Sequence, residues 1–244
     1  MPVHRELERR FHDYLDIALG KQSVKDVPKA EKARIAKHGW DSVKDSGEKF
    51  NRKMNSPVMR QFRSEEIRAI AEEARFLPDD KVLSLGSGTA LLEGFIAREL
   101  VPTGKVIGID TSDEMTKAAK SLRQKLVGSG SKNLFLVRGN FEKLPFKRHT
   151  MDKVLILQFA VNGFARLSPM LNQAREAIKN APSARLILSA IFTEKQLKRR
   201  EEFFVQLINH GFIPEKQITL GRFDNNEFGV VITASPATIL DMPR

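Results

Sequence analysis

Three short stretches hold the residues that could do chemistry. Val82-Leu83-Ser84-Leu85-Gly86-Ser87-Gly88-Thr89-Ala90 runs from an apolar strand into a glycine turn. Glycines at a strand-to-helix turn let the backbone approach a ligand closely, and they aim free helix N–H groups at it. Val106-Ile107-Gly108-Ile109-Asp110 is a second apolar strand, ending in a carboxylate 24 positions after Gly86. At the tip of a neighbouring strand that carboxylate can accept both hydroxyls of a ribose. Ser112 and Asp113 can cap the helix that follows, which leaves Asp110 freer for a ligand. Gly139-Asn140-Phe141 comes after a third strand and offers an amide for an adenine edge and a ring for its face. The same residues also suit a β-turn with core phenylalanines.

The glycine turn admits two nucleotide-type readings and one without a ligand. A G-x-G-x-x-G/A turn counted from Gly86 has Leu91 in third place, which is wrong, and a G-x-G-x-G turn has Ala90, a near miss. A tight β–α turn that binds nothing stays open.

The elements that must position these residues alternate from residue 81 onward. Strands are expected at Lys81–Leu85, Lys105–Ile109, Asn133–Val137, Lys153–Phe159 and Arg185–Ala190. Helices are expected at Ala90–Leu100 and from Ser112 to about Val127, with one capped at Ser168-Pro169 and one opened by the capping box Thr193-x-x-Gln196. Gln217–Phe223 and Phe228–Ala234 form an antiparallel hairpin on this pattern. The fold class is α/β, a Rossmann-like, seven-stranded, mostly parallel sheet finished by that hairpin. Residues 1–78 read as a helical N-terminal region, with Leu7, Phe11, Tyr14, Leu15, Ala18 and Leu19 at helical spacing and a second firm helix capped by Ser64. Residues 79–244 form the second domain.

Composition excludes several chemistries. The 244 residues contain no cysteine, which removes disulfides, cysteine-ligated metals and every thiol nucleophile. No apolar run is long enough to span a bilayer. The mixed-charge N-terminus fits neither a signal nor a transit peptide, so a cytoplasmic protein is expected. The net charge is +11, from 41 Lys+Arg against 30 Asp+Glu. Ten basic residues lie between Lys117 and Lys153, opposed only by Glu142 and Asp152, and Lys195, Lys198, Arg199 and Arg200 form a second cluster. Such a face suits a phosphate-bearing partner such as RNA or another polyanion. It equally suits a solvated helix beside an edge strand protected by lysines.

Together the three stretches resemble the class I S-adenosylmethionine-dependent methyltransferases, and within them the broad group of quinone-biosynthesis and related small-molecule enzymes. The likeness covers roughly residues 40 to 235. Val82–Ala90 is similar to the motif V-L-D-L-G-x-G-T-G, Val106–Met115 to the second motif, and Gly139–Phe146 with Met151–Val154 to the third. Gly211-Phe212 resembles the late A-G-F. The resemblance implies S-adenosylmethionine as cofactor, with Ser84, Gly86, Ser87 and Gly88 at its methionine part. It puts Asp110 on the ribose, Thr111 and Met115 beside the adenosine, Asn140 and Phe141 at the adenine, and Gln158 facing the methyl group. Ser84 stands where the family carries an acid, Ala90 where it carries a third glycine, and Asn140 where it carries Asp.

The implied activity is methyl transfer to O or N, less often C, of a small molecule held under the N-terminal lid, or of RNA. The alternative is a non-catalytic protein of this fold that binds RNA or serves in an assembly. His38 and His149 are the candidate bases. No histidine pair has metal-ligand spacing, so no metal is expected.

Overall fold

The computed structural model describes residues 2–20, 28–127, 132–141, 144–160, 166–193, 196, 200–223 and 227–237. Four N-terminal helices come first: α1 (Pro2–Leu19), α2 (Lys29–His38), α3 (Ser46–Met54) and α4 (Pro57–Ala74), with a 3₁₀ turn at Trp40–Ser42. Then follow β1 (Lys81–Leu85), α5 (Leu91–Phe95), β2 (Lys105–Asp110), α6 (Asp113–Val127), β3 (Leu134–Arg138), β4 (Lys153–Ala160), α7 (Leu167–Ala177), β5 (Arg185–Thr193), α8 (Arg200–Asn209), β6 (Phe212–Phe223) and β7 (Glu227–Pro236).

The strands form one seven-stranded sheet in the order β3-β2-β1-β4-β5-β7-β6. Pairings among β1 to β5 are parallel, and β7 runs antiparallel between β5 and β6. Central parallel strands are covered on both faces and therefore read as unbroken apolar runs. Successive side chains go to opposite layers. Leu155 and Leu157 pack with Phe11, Ile67, Ile70 and Phe95 on one side, while Val154 and Ile156 pack with Leu171, Phe203 and Leu207 on the other. Apolar residues from both sides of residue 78 thus share one core: Phe11 meets Phe95 edge-to-face at 5.0 Å. Helices α1 and α4 are one of the two layers over the sheet, and the segment around Trp40, with Phe50 of α3 and Arg63 of α4, borders the cleft described below.

Four local expectations shift. Helix α4 begins at Pro57, where Ser56 accepts from the Met59 N–H; Ser64 lies mid-helix, buried, 3.0 Å from His12 Nε2. The polar look of residues 57–63 hid a buried stripe of Met59, Phe62 and Arg63. Helix α5 gives way to a π turn at Ile96–Leu100. Helix α7 starts at Leu167, and Ser168 bonds His210 rather than capping. The hairpin strands are longer than alternation indicated, because Pro214 is tolerated on edge strand β6 beside a bulge. In the capping box, Gln196 Oε1 accepts from the Thr193 N–H at 2.9 Å.

Candidate functional site

The chain runs outward through β1, β2 and β3, then returns to the other side of β1 with β4. The carboxyl ends of β1 and β4 therefore open a crevice, the place where open α/β sheets bind ligands. Two adjoining cavities occupy it. One, of about 130 Å³, is lined by Trp40, Arg63, Gly86, Gly88, Glu93 and Asp110 among others. The other, of about 400 Å³, continues past Gly86, Asp110 and Gln158 to Phe141, Arg166 and Met170. Together they have the size of a small-molecule site.

The glycine turn is held against β2. Gly86 and Ser87 donate their N–H groups to the Ile109 carbonyl at 2.8 and 3.0 Å, and Gly88 donates to Asp110 Oδ2 at 2.8 Å. Gly86 and Gly88 take positive φ, and Ala90 does so too at 56°. The alanine in the third glycine's place thus keeps a left-handed backbone, which costs a residue with a Cβ roughly 1–2 kcal/mol. The N–H groups of the turn itself, those of Gly86, Ser87 and Gly88, are thus donated inside the protein, and those of the helix that begins at Leu91 are the ones left to face a ligand.

Asp110 is likewise not idle. Its Oδ1 accepts from the Ser112 N–H at 2.8 Å while Oδ2 holds Gly88. Burial pushes its carboxyl above the usual range, against the pull of these two donors. Each oxygen keeps a second lone pair for a ligand.

The start of α6 is capped from outside. Asp41 accepts from the Ser112 hydroxyl at 2.6 Å, the Glu114 N–H at 3.1 Å and the Asp113 N–H at 3.2 Å. Burial opposes its charge, but the Ser112 hydroxyl and the two N–H groups outweigh it and hold the carboxyl below its ordinary value. Glu114 answers by accepting from the Asp45 N–H at 2.5 Å. Gly47 lets α3 lie on α6, where a Cβ would stand 2.5 Å from the Glu114 carbonyl oxygen. These contacts fix Trp40, set edge-to-face on Phe50 at 5.4 Å, at the cleft wall.

Sequence reasoning missed a buried polar cluster beneath the same cavity. Ser84, fully buried, donates its hydroxyl to Glu93 Oε1 at 2.6 Å. Glu93 is 3% exposed, and burial pushes its carboxyl up to about 7. Arg63 donates to Glu66 Oε2 at 2.5 Å, Ser189 donates to Glu66 Oε1 at 2.6 Å, and the Ser189 hydroxyl accepts the Gln158 N–H. The remaining Arg63 contacts, at 3.4 and 3.0 Å, are to the Met54 sulfur, a weak acceptor. Charged residues on the apolar side of α4 and α5 were the available signal.

The other expected site residues divide. Ser87 and Met115 line the smaller cavity, Thr111, Phe141 and His38 line the larger, and Gln158 lines both. Gln158 has a positive φ of 57° where β4 shifts register against β5, an irregularity that turns the strand tip toward the cleft. Ser84 lies behind Glu93. Asn140 is exposed and lines neither cavity. His149 precedes β4, at the end of that strand opposite the crevice, with its Nδ1 2.9 Å from the Ile178 carbonyl oxygen. That places it away from the cleft.

The basic window is partly neutralised by the chain itself. Lys117 pairs with Asp113 and Glu114, Arg138 with Asp113, and Arg148 with Glu176. Lys153 is buried, donating to the Ser183 carbonyl and standing 3.7 Å from Asp80. Lys143, Lys195, Lys198 and Arg199 lie outside the described residues. No described helix is long and apolar enough to cross a membrane.

With this geometry in view, the relatives decide the family. Residues 77–218 match the model of a methyltransferase domain. The chain belongs to that methyltransferase family. A demethylmenaquinone methyltransferase of Symbiobacterium thermophilum is 27% identical over 158 residues, covering 64% of this chain and 59% of its own length. The ubiquinone/menaquinone biosynthesis C-methyltransferase of Wigglesworthia glossinidia brevipalpis is 29% identical over 112 residues, 46% of this chain and 42% of its own. The chain therefore spans about half the length of these two curated relatives. Among solved structures, geranyl diphosphate C-methyltransferase of Streptomyces coelicolor superposes with a TM-score of 0.62 at 11% identity, covering 97% of this chain and 98% of that one. The [4+2]-cyclase SpnF reaches 0.60 at 12% identity, covering 72% and 82%. Such distant likeness shows the methyltransferase fold, which also hosts other reactions.

Proposed function

We propose that the chain is an S-adenosylmethionine-dependent methyltransferase acting on a carbon of a small organic molecule. The observation that carries the cofactor reading is the charge of the cleft at the glycine turn. The N–H groups of Gly86, Ser87 and Gly88 are already donated, and the carboxylates of Asp110 and Glu93 line the cavity. Among the described residues the one cation on that wall, Arg63, is bonded to Glu66, so a pyrophosphate would meet two acids with little to offset them, whereas a phosphate-free, cationic nucleoside fits. Asp110 would take the ribose, Phe141 the adenine face, and Trp40 and Met115 the flanks. When bound, the cofactor supplies a sulfonium methyl group. The chain's part is then to orient the acceptor and exclude water, under the segment that Asp41 clamps to α6.

The larger cavity supports a small acceptor. Leu85, Phe141, Ile156, Leu157 and Met170 give it an apolar stretch of wall beside polar groups, and the basic residues on it are His38 and Arg166. An open basic groove for a polymer is a poorer description, and the intrachain pairing of the 117–153 face lowers the support for RNA. The sequence favoured O or N over C. The relatives named as C-methyltransferases of quinone biosynthesis favour carbon, and an aromatic ring of that kind suits this wall. His38, on the cavity wall, is the candidate to take a proton from the acceptor.

A non-catalytic role drew on Ser84 and Ala90, but Ala90 keeps the glycine's backbone conformation and Ser84 faces a carboxylate. Both facts favour a competent site. The test is incubation of the protein with S-adenosylmethionine carrying a labelled methyl and, in parallel, a demethylated quinol and bulk RNA. Label in the quinol at a ring carbon supports the reading. Label in RNA would replace the acceptor, and saturable cofactor binding without transfer to either would favour the non-catalytic alternative.

A further inference from the structure

Glu93 is the most deeply buried carboxylate on the cleft wall. It is a carboxylate 3% exposed, on the wall of the smaller cavity, and among the described residues it forms no ion pair. The nearby guanidinium of Arg63 attracts it through space but is bonded to Glu66, whose two oxygens are engaged by Arg63 and Ser189. Glu93 is bonded instead to Ser84 on β1, hydroxyl to carboxylate, at 2.6 Å. A buried anion without a counter-ion is costly unless a cation comes to it.

Resting on the cofactor reading above, we propose that Glu93 receives the ammonium of the cofactor's amino-acid tail, so that the anchoring carboxylate stands on α5 and not at the end of β1. Ser84 and Glu93 are then a coupled pair. Two carboxyl groups within hydrogen-bond distance do not readily both ionise, so acids at positions 84 and 93 together would have to share a proton and offer one charge between them. A serine at 84 is the residue that leaves Glu93 room and gives it a donor. Burial holds much of Glu93 in its protonated form while the cavity lacks a cation, and the incoming ammonium releases that proton. The ionisable groups around it are Tyr14 from α1, Arg63 and Glu66 from α4, and Asp110 across the cavity.

Calorimetric binding of two probes tests this without reference to turnover. S-adenosylhomocysteine carries the amino-acid tail, and 5′-methylthioadenosine lacks it. Glu93→Gln keeps the shape and still accepts from Ser84. It should weaken S-adenosylhomocysteine binding by about tenfold to a hundredfold, as expected for loss of a charge-assisted hydrogen bond. Binding of 5′-methylthioadenosine should change by less than about twofold, because only the tail contact is lost. The double variant Ser84→Asp with Glu93→Gln returns the carboxylate to β1 and should restore most of the affinity. Equal losses for both probes, or no loss for either, would overturn the assignment of Glu93 while leaving the cofactor reading intact. Failure of the unaltered protein to bind either probe would overturn both.

Discussion

Asp41 reaches across from the N-terminal segment and accepts the Ser112 hydroxyl at 2.6 Å, two residues beyond Asp110. One carboxylate thus caps α6, and through the Ser112 N–H its neighbour Asp110 holds the same turn. The clasp and the ligand-facing acid are parts of one hydrogen-bonded loop. Asp41→Ala should cost about 1–2 kcal/mol of stability, as loss of a helix cap does. It should also loosen the cleft wall at Trp40. Denaturant melts and ligand titration check both effects, and a variant as stable as the parent would show that the cap is replaceable.

Trp40 is the only tryptophan in the chain and lines both cavities. Its emission should therefore change saturably as S-adenosylhomocysteine is added, with the same midpoint as calorimetry. A spectrum that stays constant through saturation would place the ligand elsewhere.

The Arg63–Glu66 pair is 1% exposed at both side chains. Removing one partner leaves a buried charge alone, so Arg63→Met should destabilise the fold by about 3–5 kcal/mol. Replacing Glu66 with Leu in the same protein should recover much of that loss, since well-packed apolar pairs substitute for buried ion pairs at little cost. A thermodynamic cycle from urea melts measures the coupling. Additive losses would show the two side chains to be independent.

Glu93 gives stability a defined pH dependence. Its carboxyl is raised from about 4.5 in the unfolded chain to about 7 in the fold, mainly by burial. Between these values the folded state binds the extra proton, so Glu93 makes stability fall as pH rises through the window. Glu93→Gln removes that slope, and the variant should gain on the parent between pH 5 and pH 8, values chosen to bracket roughly the two ends of the titration. Parallel melts at the two pH values decide it; identical slopes would contradict the burial of an ionisable Glu93.

The sheet and its order of elements were legible because buried parallel strands are unbroken apolar runs and their turns carry glycine. β1 was read to the residue, and the glycine turn, Asp110 and Gln158 all fall at the crevice. Less legible was whatever depends on side chains meeting across the chain. Nothing local to Ser112 shows that Asp41, 71 positions earlier, caps it. Nothing in Ser84 alone shows that the carboxylate it lacks stands beside it at Glu93. Asn140 is exposed outside both cavities, a placement that the pattern of its neighbours does not fix. The charge of the 117–153 window, additive in the sequence, is divided in space by Asp113, Glu114, Glu176 and Asp80.

The central claim is that the crevice between β1 and β4 holds S-adenosylmethionine against Asp110. Calorimetric titration with that cofactor tests it most directly. The account predicts saturable binding at one site per chain, and its loss in Asp110→Ala. No heat at millimolar cofactor, or unchanged affinity in the variant, would contradict it.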